Sequence, residues 1–228
     1  MHDKTFRAHG VALKSGSGSQ LRGRCPFCRK ADKFYCSKKT GLWDCKSCHK
    51  KGNAGQFLRY ISAMNQKALT AEKAKELAKH KDLSSMALGM FSIGWNGKEY
   101  TVPAGYGPDE ALSDLRRYKI KTKSKMLSTP GAKAGWGGIT QANLSQVKTL
   151  WVTEGEWDAI AILDSLRLNS LLDSSRAIST PGAGSLPKNL ELLRDKEVLI
   201  AFDNDQPGYS GTVKLIQAAT DAGAESVR

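Results

Sequence analysis

The spacing of apolar positions divides this chain into stretches of different character. From Gln56 to His80, Phe57, Leu58, Ile61, Met64, Leu69, Ala74, Leu77 and Ala78 recur mostly every three to four residues among strong helix formers, which predicts an amphipathic helix or helix pair. Between 88 and 145, glycines and prolines such as Gly94, Gly97, Pro103, Gly105, Pro130, Gly131 and Gly135 punctuate short strand-like runs, predicting a β-rich, loop-rich region. Beyond Lys148 the order becomes strand, tight turn, helix: TLWVT, EGE and WDAIAILDSL; then AIST, PGAG and SLPKNLELL; then VLIAF, DND and a helix toward Ala222. Such alternation predicts parallel β/α units, with SVR opening a further strand. At the other end, SGSGS at 15–19 reads as a flexible stretch, and KFYCSKKTGLWDC reads as two short strands about a turn at Lys39 to Gly41.

The expected fold class is therefore α/β. A small β-rich module occupies 1–55, a helical connector 56–80, a basic α+β region 81–148 and a parallel β/α unit 149–228. With 228 residues, 40% of them apolar, the chain is long enough for one to two domains and has no apolar run approaching the ~18 residues of a membrane span. The start MHDKTFRAHG lacks a basic-then-apolar secretory pattern, so a reducing cytoplasm is expected and the five cysteines call for something other than a disulfide framework.

Two pairs supply it. Cys25-Pro26-Phe27-Cys28 and Cys45-Lys46-Ser47-Cys48 are separated by sixteen residues, and each pair places two thiolates on one tight turn, at the spacing of a structural zinc site with all four positions filled. Two redox dithiols, or small buried residues, are the plainer alternatives, but neither requires matched pairs. Cys36 and His49 are substitute ligands should one cysteine stand aside. Phe34, Tyr35 and Trp43 between the pairs either pack as core or stack on bases, and Trp43 is carried as a template-binding residue.

Charge sharpens the division. Residues 1–58 hold 13 basic against 3 acidic residues, 59–148 hold 15 against 7, and 149–228 hold 7 against 12. A basic front of +18 joined to an acidic last third suits a polyanion binder attached to a module that gathers carboxylates. In the middle, Arg117, Lys119, Lys121, Lys123 and Lys125 alternate with other residues, so on a strand all five leave one face as a ladder for phosphates; a solvated edge strand is the plainer alternative.

The carboxylates sit where a parallel sheet would use them. TLWVT runs into Glu154-Gly155-Glu156-Trp157-Asp158, and VLIAF runs into Asp203-Asn204-Asp205-Gln206-Pro207-Gly208. Loops at the carboxyl ends of neighbouring parallel strands form the ligand crevice of an open α/β sheet, and acidic groups gathered there repel one another unless a hard divalent cation, Mg²⁺ or Mn²⁺, neutralises them. Asp203 and Asp205 read as metal ligands, and Glu154 as a ligand or a general base. Taken singly, Glu156 or Asp158 is equally explained by the helix N-terminus it occupies.

VTEGEWDAIAI followed some fifty residues later by AFDNDQPG resembles the Toprim domain, and with a four-cysteine ribbon ahead of it the chain is similar to primases of the DnaG family, especially the primase part of phage primase-helicases. The resemblance covers the ribbon and Toprim segments by motif and the middle by order and charge. It implies a DNA-dependent RNA primase, a nucleotidyltransferase with structural Zn²⁺ and catalytic Mg²⁺ or Mn²⁺ on Glu154, Asp158, Asp203 and Asp205. It also implies nucleotide or template contacts from Arg117, Lys119, Lys121 and Lys125, and as partners single-stranded DNA, NTPs and a replicative helicase fused downstream or acting in trans, in a cytoplasmic protein of cellular, phage or plasmid origin. The family usually supplies a further acidic group after the next strand, and the chain stops at Arg228 before it, so a Toprim fold missing one ligand is expected. A noncatalytic recombination-mediator module and a Toprim nuclease share parts of this pattern; the mediators tend to lack the full acidic set, and the nucleases are not expected to carry the ribbon.

Overall fold

The computed structural model describes residues 3–16, 18–106, 112–120, 126–133, 135–138, 144–182 and 184–228. A short helix α1 (Asp3–Ala8) precedes five antiparallel strands, β1 (Leu13–Ser15), β2 (Gln20–Gly23), β3 (Phe34–Ser37), β4 (Trp43–Cys45) and β5 (Lys51–Gly52), paired in sequence order. Of the serine-glycine stretch, Ser15 belongs to β1, opposite Leu21 of β2, and the Gly16 amide donates to the Gln20 carbonyl at 3.0 Å, so the described ends of the stretch are tied into the β1–β2 hairpin and are not a free linker; Ser17 lies outside the described residues. The ribbon is thus a wider sheet than the two predicted strands, because the polar segments around Leu13 and Leu21 pair by backbone bonds and bury only those alternate apolar residues.

Helices α2 (Ala54–Ala68) and α3 (Ala71–Lys81) lie where the apolar periodicity places them. Asn53 and Gln56 close a reciprocal capping box on α2, and Asp82 ends α3 in a left-handed conformation. A short α4 (Ser85–Met90) leads to β6 (Gly94–Trp95), β7 (Tyr100–Tyr106) and β8 (Leu112–Tyr118), a three-stranded antiparallel sheet. Its ladder is regular, with Thr101 opposite Arg117 and Val102 opposite Arg116, so successive side chains leave opposite faces. Leu115 packs with Phe57, Leu58 and Ile61 of α2 and with the ribbon core. Tyr100, Val102 and Tyr118 pack on the other face with Leu77, Leu88, Ala159 and Ile160. The strand ends at Tyr118, short of the ladder read from sequence; Lys121, Lys123 and Lys125 lie outside the described residues.

The last unit has parallel strands β9 (Thr149–Thr153), β10 (Ser175–Ser179), β11 (Glu197–Ala201) and β12 (Ser226–Val227) in the order β10-β9-β11-β12, with helices α5 (Glu156–Leu168) and α6 (Gln206–Asp221). The helix expected over SLPKNLELL does not form. Only Glu191–Leu193 makes a single 3₁₀ turn, consistent with Pro187, which removes an amide and disfavours helical geometry at Leu186 before it. The two sheets are joined through Gly137, which bridges Ala104 of β7 on one side and Ser179 of β10 on the other.

A buried polar contact ties the N-terminal module to the middle sheet. The Nε2 atom of His9 lies 2.9 Å from the Thr129 hydroxyl, and burial, reinforced by the Arg117 charge, pushes its pKa down to about 4. The native ring is neutral while the unfolded one titrates near 6.5, so this contribution is intact above pH 6.5 and is lost as pH falls toward 4. Denaturant midpoints measured from pH 7 to pH 4 should fall with a slope of about one proton more in the wild type than in His9→Gln. Equal slopes would refute the assignment.

Candidate active site

The four cysteines come together as the spacing predicts. Their sulfur atoms all lie within 4.8 Å of one another, with Cys25 Sγ 3.9 Å from Cys48 Sγ and Cys28 Sγ 3.7 Å from Cys45 Sγ. A tetrahedron of Zn–S bonds has sulfur–sulfur edges of about 3.8 Å, so the donor set fits Zn²⁺. The two turns are copies of one another. In each, the residue after the second cysteine, Arg29 or His49, takes a positive φ and returns its amide to the first cysteine's carbonyl, at 2.9 and 3.0 Å. The amides of Ser47 and Cys48 approach the Cys45 sulfur at 3.4 and 3.5 Å, a polar cradle for a thiolate. Neither Cys36 nor His49 belongs to this group.

Trp43 corrects the sequence reading. It is 3% exposed, stacked on Phe34 at 5.4 Å between centroids, and its indole N–H donates to the Asn53 carbonyl at 2.8 Å. Core packing against the capped start of α2 occupies both its face and its donor, so it offers no platform for a base.

At the carboxyl edge of the parallel sheet, Thr153 ends β9 level with Ala201 of β11 and Ser179 of β10, so the two acidic loops emerge side by side. The turn after β9 is held residue by residue. Thr180 Oγ1 lies 3.4 Å from the Glu154 carbonyl, the Thr153 hydroxyl donates to the Gly155 carbonyl at 2.8 Å, and the Glu156 carboxylate meets Arg116 Nη1 at 2.5 Å. After β11, Asp205 caps α6 by accepting the Gly208 amide at 2.8 Å. Gly208 packs so tightly on the chain that a Cβ there would stand 2.0 Å from the Asp203 carbonyl. Capping uses one oxygen of Asp205; Asp203 and Asp158 are exposed at the mouth.

Two observations bear on a cation. Glu154 Oε2 is buried with no partner. The Asp158 carboxyl is pushed above its ordinary range by partial burial and then by the Asp203 charge. A divalent cation would satisfy the orphaned oxygen and relieve that repulsion. Among the described residues only the thiols gather three or more ligand atoms within 4.8 Å; the wider carboxylates suit a cation that keeps several of its waters.

The basic residues divide by strand face. Arg117, on the face of β8 opposite Arg116, and Lys119, just past the strand's end, are the first choices for nucleotide contacts, and both reach Glu99, at 3.7 and 3.6 Å. The residue that does face the crevice is Arg116, which sequence reasoning passed over. Its guanidinium contacts Glu156, donates to the Pro181 carbonyl at 3.3 Å, and has Nε 3.5 Å from Asp114. Burial raises the Glu156 carboxyl while Arg116 opposes the shift. The available signal was alternation itself: with Leu115 apolar and Tyr118 able to pack, an even-numbered face through Asp114, Arg116 and Tyr118 fits a buried sheet as well as the odd-numbered ladder.

No curated protein matches this chain. Residues 151–228 match a family model described as Toprim-like. Among solved structures, the zinc-binding and RNA polymerase domains of the Aquifex aeolicus primase align with 100% of this chain and 76% of their own at 16% identity and a TM-score of 0.54. The primase fragment of the bacteriophage T7 primase-helicase aligns over 91% of this chain and 88% of its own at 17% identity and a TM-score of 0.47. None of the described helices is long and apolar enough to cross a membrane. The acidic crevice thus belongs to a Toprim-like segment, and the chain as a whole has the fold of the zinc-binding and RNA polymerase domains of a primase.

Proposed function

We propose that this chain is the primase part of a DNA-dependent priming system, making short oligoribonucleotides on single-stranded DNA. The observation that carries the reading is the carboxylate crevice, with an orphaned buried oxygen on Glu154 and an Asp158 carboxyl pushed up by burial and by the Asp203 charge, set against a basic sheet and a four-thiol module in one fold. Glu154, Asp158, Asp203 and Asp205 would hold Mg²⁺ or Mn²⁺. Bound there, the cation would lower the pKa of an attacking 3′ hydroxyl and stabilise charge on the departing pyrophosphate. Glu154, just past the end of β9, would serve as a ligand or accept the hydroxyl proton. Asp205 caps α6, Asp203 lies two residues before it, and Asp158 stands in the first turn of α5. The ribbon and the basic stretch through Arg117, Lys119, Lys121 and Lys125 would engage template and NTPs, with a replicative helicase as downstream partner.

The test is synthesis of labelled oligoribonucleotides on mixed-sequence single-stranded DNA with NTPs and Mg²⁺, using the chain and any longer natural form of it. Glu154→Gln and Asp203→Asn should each reduce product by at least about a hundredfold. DNA shortened without NTPs would indicate a nuclease. Tight DNA binding with no product at either length would indicate a mediator.

A further inference from the structure

Lys81, the last residue of α3, lies outside both the zinc cluster and the basic ladder. Its ammonium sits 4.6 Å from the centroid of Tyr118 and 4.6 Å from that of Trp157, whose rings meet edge to face at 4.9 Å. Tyr118 is fixed from behind by His80, whose Nε2 is 2.9 Å from the phenol oxygen. Trp157 stands in the motif between buried Glu156 and exposed Asp158, so the ammonium is held at the rim of the carboxylate crevice.

The way it is held matters. Two aromatic faces stabilise a cation without accepting its hydrogen bonds, and a lysine ammonium has three donors to place. Among the described residues no carboxylate comes within 4.0 Å of it. Its charge is nonetheless felt inside the crevice, where it opposes the upward shift of Asp158. The other described cations on this sheet are committed, Arg116 to Glu156 and Arg117 and Lys119 to Glu99. Among the described residues, a polyanion entering among four carboxylates therefore meets Lys81 as the open cationic donor on that rim.

We infer that Lys81 binds the triphosphate of the nucleotide taken up by the carboxylate crevice, with Tyr118 and Trp157 fixing its ammonium in place. The identity of the ligand rests on the function proposed above; the position of the charge does not.

Equilibrium dialysis of labelled ATP, AMP and adenosine with Mn²⁺ tests it on wild type, Lys81→Met and Lys81→Arg. The Met variant should bind ATP about tenfold more weakly, bind adenosine as before, and so lose the preference for the triphosphate, while the Arg variant stays near wild type. Single-stranded DNA binding should be unchanged in both. Lys81→Gln replaces the Met variant if the latter melts early. Unchanged triphosphate preference in the neutral variant overturns the inference, as does a wild type that binds no triphosphate. A wild type that binds ATP through Lys81 but makes no oligoribonucleotide sinks the primase reading alone. Synthesis that is indifferent to Lys81 sinks only the inference.

Discussion

Stripping the metal from the four-thiol cluster, by chelation or by Cys45→Ser, should unfold the N-terminal module. The strands of that module are two to four residues long, and its core is an aromatic knot of Phe6, Phe27, Phe34, Trp43 and Phe57 with few aliphatic residues of its own, Val11, Leu13 and Leu21. A sheet of that size has too little apolar area to offset its ordering entropy unaided, whereas structural zinc supplies about 10–16 kcal/mol to small modules of this kind. Phe34 and Cys45 lie opposite each other on β3 and β4, so losing the thiolate turn releases the strand on which Trp43 stacks. The expected readout is a red shift and quenching of tryptophan emission with one Zn²⁺ released per chain, while the helical signal of α5 and α6 persists. Retention of the native emission spectrum in a fully demetallated sample would show that the aromatic core holds the module alone.

Arg116→Met carries the second large effect. The side chains of Arg116 and Glu156 are 12% and 4% exposed, so removing the guanidinium leaves a carboxylate sealed from water with only Asp114 for company. Breaking a buried pair from one side costs about 3–5 kcal/mol. Glu156→Gln should cost less, since it leaves Arg116 with Asp114 and the Pro181 carbonyl. The double change Arg116→Met with Glu156→Leu should cost less than the sum of the single changes, because it leaves no orphaned charge between the two. Since burial already raises the Glu156 carboxyl, acidification neutralises it early, and the penalty of Arg116→Met should shrink as the pH is lowered. Guanidinium denaturation of the wild type, the three single variants Arg116→Met, Glu156→Gln and Glu156→Leu, and the double variant at two pH values measures this. A single-variant penalty below about 1 kcal/mol would mean that the contact contributes no more than a surface pair.

How much of this was readable from sequence depends on whether the signal was local. The cysteine pairs were, because ligand spacing is a property of one turn. The strands before Glu154 and Asp203 were, because five-residue apolar runs followed by acidic turns and helical periodicity leave few other assignments. A helix toward Ala222 was legible but its start was not; the structure puts Asp205 at the cap, Pro207 in the first turn and Gly208 against the chain, signals that lie in the same few residues that were read as metal ligands. The hidden part lies where tertiary contact chooses between equivalent local readings. Alternation in LRRYKIKTK fixes two faces but not which one meets the crevice; α2 covers the face of Leu115 and α5 the face of Tyr118, and that packing makes Arg116 the inward residue. Trp43 was ambiguous for the same reason, since its fate depends on Asn53 arriving beside its indole. Lys81 gave no sequence signal, because the two rings that hold it come from β8 and α5.

The seam at Gly137 sets a mechanical limit on the crevice. Its amide donates to Ser179 at 2.9 Å, the Ser179 amide returns at 3.1 Å, and the Gly105 amide donates to the Trp136 carbonyl at 2.5 Å. The middle sheet and the parallel sheet are therefore riveted through the backbone, with no room for a side chain at Gly137, whose Cβ would stand 2.3 Å from the Ser179 hydroxyl. Jaws joined this way do not gape: any rotation that widened the crevice would first have to unzip that seam, so its width is set by the backbone and not by what enters it.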